Sequence, residues 1–183
     1  PRSRRMASSA ASAATPDWAW ANVWRRRTNT TPNTTTAATA TARAPIPKIH
    51  YASEQYLQKS GLAWTMIKPN FFMQNFLGSA GTIKEQGKFF LPMGQGKTVM
   101  IDTRDVGACV AAVMTGTGHA GHAYELSGPE VLSFADAAAR MSTALGRTIQ
   151  YVPVPMDSYR QTLARFLTSE WHLNAVCALF QEI

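Results

Sequence analysis

One histidine and one carboxylate share a helical spacing near the middle of the chain. His50 and Glu54 lie four residues apart, so a helix would present both side chains on one face. An imidazole titrates close to neutral pH and can therefore take part in proton transfer. The alternative interpretation is a partly exposed histidine that simply pairs with Glu54.

A second group of candidate residues follows a short apolar segment. Residues 63–67 are mostly apolar without alternation, which is typical of a strand buried on both faces of a parallel sheet. Pro69 cannot donate to a strand ladder and should end the strand. Ligands of open α/β sheets bind just beyond the carboxyl ends of strands. Pro69, Asn70, Phe71 and Phe72 are therefore candidate ligand contacts, and Asn75 could reach the same cleft. The alternative is a turn followed by a core phenylalanine.

Three other groups of residues have structural explanations. Residues 94–98 lack the glycine five positions before Gly96-Lys97 that a phosphate-binding P-loop requires, and a hairpin turn explains their glycines. Asp102 and Asp105 bracket a predicted helix start and are expected to act as cap and dipole partners. His119 and His122 have no carboxylate or cysteine at ligand spacing, so no metal site is predicted.

Helices and strands alternate along residues 46–183. Helices are predicted from His50 to Ser60 and over residues 71–83, 104–114, 134–145, 157–167 and 170–180; strands are predicted over residues 63–67, 88–92, 98–101, 122–127 and 148–153. The apolar stripe of residues 71–83 is expected to pack on a core. This order indicates an α/β protein.

Charge divides the chain into two parts. The net charge is +7, and residues 1–48 alone account for all of it because residues 49–183 hold equal numbers of basic and acidic side chains. The balanced part offers no basic face for nucleic acid. No apolar run approaches the roughly 20 residues that a membrane span requires.

Residues 1–45 are predicted to be a disordered or low-complexity leader, since they are rich in Ala, Ser and Thr and poor in aliphatic side chains. An organellar transit peptide, a basic tail and an artefact of the gene model remain alternatives. Cys109 and Cys177 lie in predicted helices and are expected to be buried free thiols. Cytoplasmic localisation is therefore expected, or organellar if the leader is a real transit peptide.

Several spaced motifs resemble the NmrA-like family, which comprises atypical short-chain dehydrogenase/reductase relatives that bind NAD(P) on a Rossmann fold. The first block of matching positions is His50, Glu54, Leu57, Ser60, Gly61, Leu62, Thr65, Pro69, Asn70, Phe72, Met73, Gln74 and Asn75. Later matches are Ile101, Asp102, Asp105, Val106, Gly107, Tyr124, Leu126, Ser127, Gly128, Pro129 and Glu130, with residues 144–147 and 151–154. The resemblance covers residues 46–180.

The resemblance implies roles for the candidate residues. The loop of residues 69–72 would cover the nicotinamide end of NAD(P), and His50 would donate a proton or hydrogen-bond the cofactor or the substrate. No Tyr-x-x-x-Lys pair, the usual proton relay of short-chain dehydrogenases, occurs in the sequence.

The resemblance also implies that the βα units preceding His50 in family members are missing. No glycine-rich phosphate-binding turn precedes His50, so the phosphate grip is expected to be absent from this chain, and the strand of residues 63–67 is expected to lack partners. The expected fold is thus a truncated Rossmann-like α/β fold over residues 46–183, with a small substrate-side subdomain. The intact protein would be an NAD(P)H-dependent oxidoreductase of quinone or carbonyl substrates, or a non-catalytic NAD(P)-sensing module. Its partners would be the dinucleotide and a small-molecule substrate. This chain alone would be inactive.

Overall fold

A computed structural model of the chain describes residues 38–182, which form a mixed α/β fold. The α-helices are α1 (Pro45–Lys59), α2 (Ala80–Gln86), α3 (Thr103–Thr115), α4 (Phe134–Leu145), α5 (Met156–Leu163) and α6 (Glu170–Phe180). The strands are β1 (Thr65–Pro69), β2 (Lys88–Leu91), β3 (Lys97–Thr98), β4 (His122–Leu126), β5 (Leu132–Ser133) and β6 (Gln150–Pro153). A 3-10 helix covers Met73–Ser79. The predicted leader falls largely on residues 1–37, which lie outside the described residues.

Strand β1 is the element that positions the candidate site. It pairs in parallel with β4, from Thr65 opposite His122 to Pro69 opposite Leu126. The prediction that this strand lacks partners is wrong on the β4 side, because the chain returns through α3 to place β4 beside it. Among residues 38–182 no strand pairs with the other edge of β1. The strand covers Thr65–Pro69 rather than the predicted residues 63–67, and Pro69 is its last residue.

The predicted hairpin between β2 and β3 is wrong. A turn does form, with Gly94 at φ +49° and the Gly96 N–H donating to the Met93 carbonyl at 2.8 Å. The strands that it joins separate: β2 pairs in parallel with β6, and β3 pairs antiparallel with β5. The rings of Phe89 and Tyr151 stack at 5.4 Å across the β2–β6 pair, so side-chain packing outweighs proximity along the chain.

Three helices differ from their predicted boundaries, and one of them is α5, which ends at Leu163 rather than at residue 167. Helix α1 begins at Pro45 rather than at His50, because prolines in the first turn cost no intrahelical hydrogen bond. Residues 71–83 do not form one helix. Phe71 and Phe72 stay extended because the Ile101 N–H donates to the Phe71 carbonyl at 2.9 Å, and the 3-10 helix starts only afterwards.

Two buried clusters hold these elements together. The larger contains Phe76, Phe89, Met93, Met100, Phe134, Ala137, Ala138 and Ile149; the smaller contains Ile101, Cys109 and Leu126. Both cysteines are buried and free, which confirms the prediction. No helix among residues 38–182 is long and apolar enough to cross a membrane.

Candidate functional site

A cavity of about 540 Å³ lies between α1, the carboxyl end of β1 and the last turn of α6. We call it the β1 cavity. Helix α1 contributes His50, Ser53, Glu54 and Leu57, which follow one helical face. The loop after β1 and the start of the 3-10 helix form a second wall, and Phe180 lies on the third side.

Asn70 is held by both its backbone and its side chain. Its N–H donates to the Leu126 carbonyl at 2.8 Å, which continues the β1–β4 ladder. Its side-chain oxygen accepts from the Phe71 N–H at 2.7 Å and from the Thr98 hydroxyl at 2.9 Å. The amide NH₂ has no acceptor among residues 38–182. Every buried polar side-chain atom in this part of the chain has a partner, so this NH₂ is not buried. The NH₂ is therefore an accessible donor in the cavity wall.

The two phenylalanines connect the cavity to the rest of the fold. Phe71 packs edge-on against Phe134 at 5.6 Å and against Phe76 at 6.0 Å, so it belongs to the cavity wall and borders the larger core cluster. Phe72 forms a parallel bridge with Ile101 and packs on the smaller cluster. The loop is therefore fixed between two cores rather than free to move.

Glu54 pairs with Lys68 and not with His50. The Lys68 ammonium lies 2.9 Å from the Glu54 carboxylate, and the two side chains are 25% and 17% exposed. Glu125, which faces Lys68 in the β1–β4 register, also lines the cavity. One lysine against two carboxylates gives the cavity wall a slight excess of negative charge. Such a wall is unsuited to phosphate groups and suited to an uncharged or cationic ring.

All six predicted site residues line this one cavity: His50, Pro69, Asn70, Phe71, Phe72 and Asn75. His50 and Asn75 are exposed, whereas the other four are half-buried. The side chain of His50 has no hydrogen bond or ion pair with any other residue in the described part of the chain. The roles assigned to these six residues remain predictions.

Comparison with known protein families identifies the family of this chain. The model of the NmrA-like family matches residues 36–182. The chain belongs to the NmrA-like family.

Several curated proteins similar to this NmrA-like chain are named as reductases or oxidoreductases. The NAD(P)H azoreductase of Xenophilus azovorans is 42% identical over 111 residues, which are 61% of this chain and 39% of that protein. Quinone oxidoreductase 2 of Escherichia coli strain K12 is 30% identical over 102 residues, 56% of this chain and 36% of that protein. The chain thus spans less than half the length of these relatives.

Solved structures agree with the NmrA-like fold. The NADPH-dependent quinone oxidoreductase of Escherichia coli superposes with a TM-score of 0.66 at 23% identity, over 76% of this chain and 50% of that chain. The triphenylmethane reductase of Citrobacter sp., complexed with NADP(H), gives 0.63 at 18% identity, over 76% and 49%. At these identities the likeness describes the fold alone.

Among the polar residues of the cavity wall, sequence reasoning missed four: Ser53, Lys68, Glu125 and Ser127. Lys68 could have been identified from the sequence, because a lysine just before the end of an apolar strand needs a partner. Glu125 and Ser127 had no such signal, since only the β1–β4 register brings them beside Pro69.

Two other groups of residues that the sequence singled out, Asp102 with its helix start and residues 94–98, have structural roles, as predicted. Asp102 caps α3 by accepting from the Arg104 N–H at 2.8 Å, and the Arg104 side chain and backbone hold the Asp102 pKa well below its ordinary value. Residues 94–98 run into β3 rather than into a helix, so their N–H groups do not form a phosphate cradle.

Three glycines within the NmrA-like region have the spacing of a dinucleotide-binding fingerprint, but they do not lie after a strand and before a helix. Gly116, Gly118 and Gly121 have G-x-G-x-x-G spacing, but they follow α3 and precede β4. A fingerprint must follow a strand and open a helix. The N–H groups of Gly116 and Gly121 donate to the Ala112 and Trp64 carbonyls, so they serve the helix-to-strand connection.

Proposed function

We propose that this chain is the substrate-side part of an NAD(P)H-dependent oxidoreductase that reduces quinone or carbonyl compounds. The observation that carries the proposal is the convergence of His50 and the loop of residues 69–72 on one cavity at the carboxyl end of a parallel strand. Strand ends of this kind are where α/β sheets bind ligands. The names of the azoreductase and quinone oxidoreductase relatives support the same reaction class.

The residues present fit the nicotinamide end of the cofactor. The accessible NH₂ of Asn70 is suited to a carboxamide oxygen, and the rings of Phe71 and Phe72 provide an apolar wall for a planar ring. When bound, the nicotinamide supplies the hydride. His50 would donate a proton to the reduced acceptor, and Phe180 with Leu57 would exclude water from the ring.

The same residues do not fit the pyrophosphate. The slight negative excess of the β1 cavity disfavours phosphates, and the one G-x-G-x-x-G match joins a helix to a strand. We therefore propose that residues 46–183 are a partial NAD(P)-binding domain, that the phosphate grip comes from further βα units, and that these units pair with the open edge of β1. On this proposal the chain alone binds NADPH poorly, and micromolar binding in isothermal titration would overturn it.

A chimera tests the oxidoreductase proposal. Residues 46–182 would replace the matching region of Escherichia coli quinone oxidoreductase 2, and NADPH oxidation would be followed with a panel of quinones. We expect quinone-dependent oxidation. His50→Ala should lower kcat/KM by roughly 100-fold, the usual contribution of a positioned proton donor. His172→Ala, which changes a histidine outside the β1 cavity, is the matched control and should have no effect.

A non-catalytic NAD(P)-sensing module is the second candidate. The absence of a Tyr-x-x-x-Lys pair from the sequence favours it. In that case the chimera would bind NADPH in titration but oxidise it no faster with any quinone than without one. A chimera that folds but does not bind NADPH would contradict both candidates.

A further inference from the structure

A second concavity of about 570 Å³ lies on the surface between the 3-10 helix, α2 and α4. We call it the α2–α4 groove. Its wall is formed mainly by apolar side chains, which are Met73, Phe76, Leu77, Ile83, Met141 and Leu145. Leu77 is 72% exposed and Leu145 is 55% exposed. No residue lines both this groove and the β1 cavity.

The exposure of these side chains departs from the sequence prediction. The apolar stripe of residues 71–83 was expected to pack on a core, but only Phe76 is buried there. The 3-10 helix has three residues per turn, so Met73 and Phe76 align while Leu77 turns to the open side. Apolar side chains that a helix would have buried are thus left without a cover in the described residues.

The charges around the groove have one sign. Lys84 and Arg147 are its only charged lining residues, and no carboxylate lines it. One guanidinium nitrogen of Arg147 donates to the Ile83 carbonyl at 2.6 Å, which fixes this cation at the last turn of α2, next to Lys84. An apolar trough lined by two cations is complementary to a molecule with an apolar tail and an anionic head.

We propose that the α2–α4 groove binds a single-chain anionic amphiphile, a fatty-acid carboxylate, with its head at Lys84 and Arg147 and its tail along Leu77 and Met141. The volume lies within the roughly 300–1,000 Å³ of small-molecule sites. The groove wall is much smaller than the roughly 800 Å² that each partner contributes to a stable protein interface, which favours a small ligand over a protein. Two methionines give the wall the adaptability that a flexible chain needs. The proposal does not depend on the oxidoreductase function.

Isothermal titration of the full chain with laurate, kept below its micelle-forming concentration, tests the proposal. We expect saturable binding of one laurate and weaker binding of dodecanol, which has the same tail without the charge. Lys84→Gln should weaken laurate binding up to about fivefold and leave dodecanol unchanged, since an exposed ion pair contributes little more. Lys59→Gln, at an exposed lysine on α1, is the matched control.

A second pair of variants tests the tail. Leu77→Asp should weaken laurate binding by at least tenfold, because it removes apolar contact and adds a repelling carboxylate. Leu62→Asp changes a similarly exposed leucine, 66% accessible, that does not line the groove and should leave binding intact. Equal affinity for laurate and dodecanol, or an unchanged Leu77→Asp variant, would overturn the proposal. So would binding of an acidic amphipathic peptide in the absence of laurate binding, which would assign the groove to a protein partner.

Discussion

Among single residues, Thr98 sets the orientation of Asn70. Thr98 is 6% exposed and its hydroxyl donates to the Asn70 side-chain oxygen at 2.9 Å. Replacing it with the isosteric valine leaves that oxygen with one donor fewer. We expect Thr98→Val to lower the free energy of unfolding by about 1 kcal/mol in urea titration. Thr98→Ser keeps the hydroxyl and should lose less; a loss in Thr98→Ser with none in Thr98→Val would show that the methyl group matters and the hydrogen bond does not.

Gly128 occupies a position where no side chain fits. A Cβ added there would lie 1.9 Å from the Met100 carbonyl oxygen, which is backbone and cannot rotate away. We expect Gly128→Ala to destabilise the fold by at least about 2 kcal/mol, measured by urea unfolding. The matched control is Gly78→Ala, where an added Cβ meets nothing within 4 Å and stability should change little. Similar unfolding curves for both variants would contradict the close approach of Gly128 to the Met100 backbone.

At the scale of elements, Asp102 joins the start of α3 to the 3-10 helix. It caps α3, and it accepts from the Gln74 side chain at 2.9 Å, while the Gln74 oxygen accepts from the Thr103 N–H at 3.0 Å. Arg104, through its side chain and its backbone N–H, lowers the pKa of the carboxyl below its ordinary value of 3.8. The ionised Asp102 therefore stabilises the folded state above that pH, and this stabilisation is lost as the pH falls through the lower folded-state pKa.

We expect Asp102→Asn to be less stable than the wild type at pH 7 and to approach it as the pH falls below about 4. Urea midpoints measured between pH 2 and pH 7 check this. Asp157→Asn changes an exposed acid in the first turn of α5 that forms no cap hydrogen bond, and it should stay closer to the wild type at pH 7 than Asp102→Asn. A constant difference for Asp102→Asn across all pH values would mean that its charge is not what stabilises the cap.

Over the whole molecule, the net charge and most of the described fold lie in different parts of the chain. Residues 1–48 carry the entire net charge of +7, whereas the described part from residue 49 onwards is balanced. The open edge of β1 and the size of the solved relatives both support the proposal that a larger α/β sheet forms around this chain.

Removal of residues 1–37 tests the proposed boundary between leader and domain. Six arginines and one aspartate leave with this segment, so the net charge falls from +7 to +2. We expect weaker retention on a cation exchanger with an unchanged thermal midpoint and unchanged helical circular dichroism. A clear drop in the thermal midpoint would mean that the segment contributes to the folded core.

The sequence by itself determined the elements with strong local signals. Helix α4 covers the predicted residues 134–145, because the capping box at Ser133 and the left-handed Gly146 act within a few residues of the chain. Pro69 is the last residue of β1, as its position after the apolar run predicted. The family followed from spaced motifs, and the residues predicted for the site fall on one cavity because strand ends and helix faces follow from periodicity.

The tertiary structure alone decided what each element contacts. The partner of Glu54 is Lys68 rather than His50, since β1 brings an ammonium to α1 that helical spacing cannot reveal. Strand β2 pairs with β6, whose residues lie 62 positions further along the chain, because aromatic packing across the pair outweighs the short turn to β3. Residues 73–79 form a 3-10 helix because Ile101 holds the preceding residues extended, and that contact leaves Leu77 on the surface. Such pairings depend on distant residues and carry no local signal.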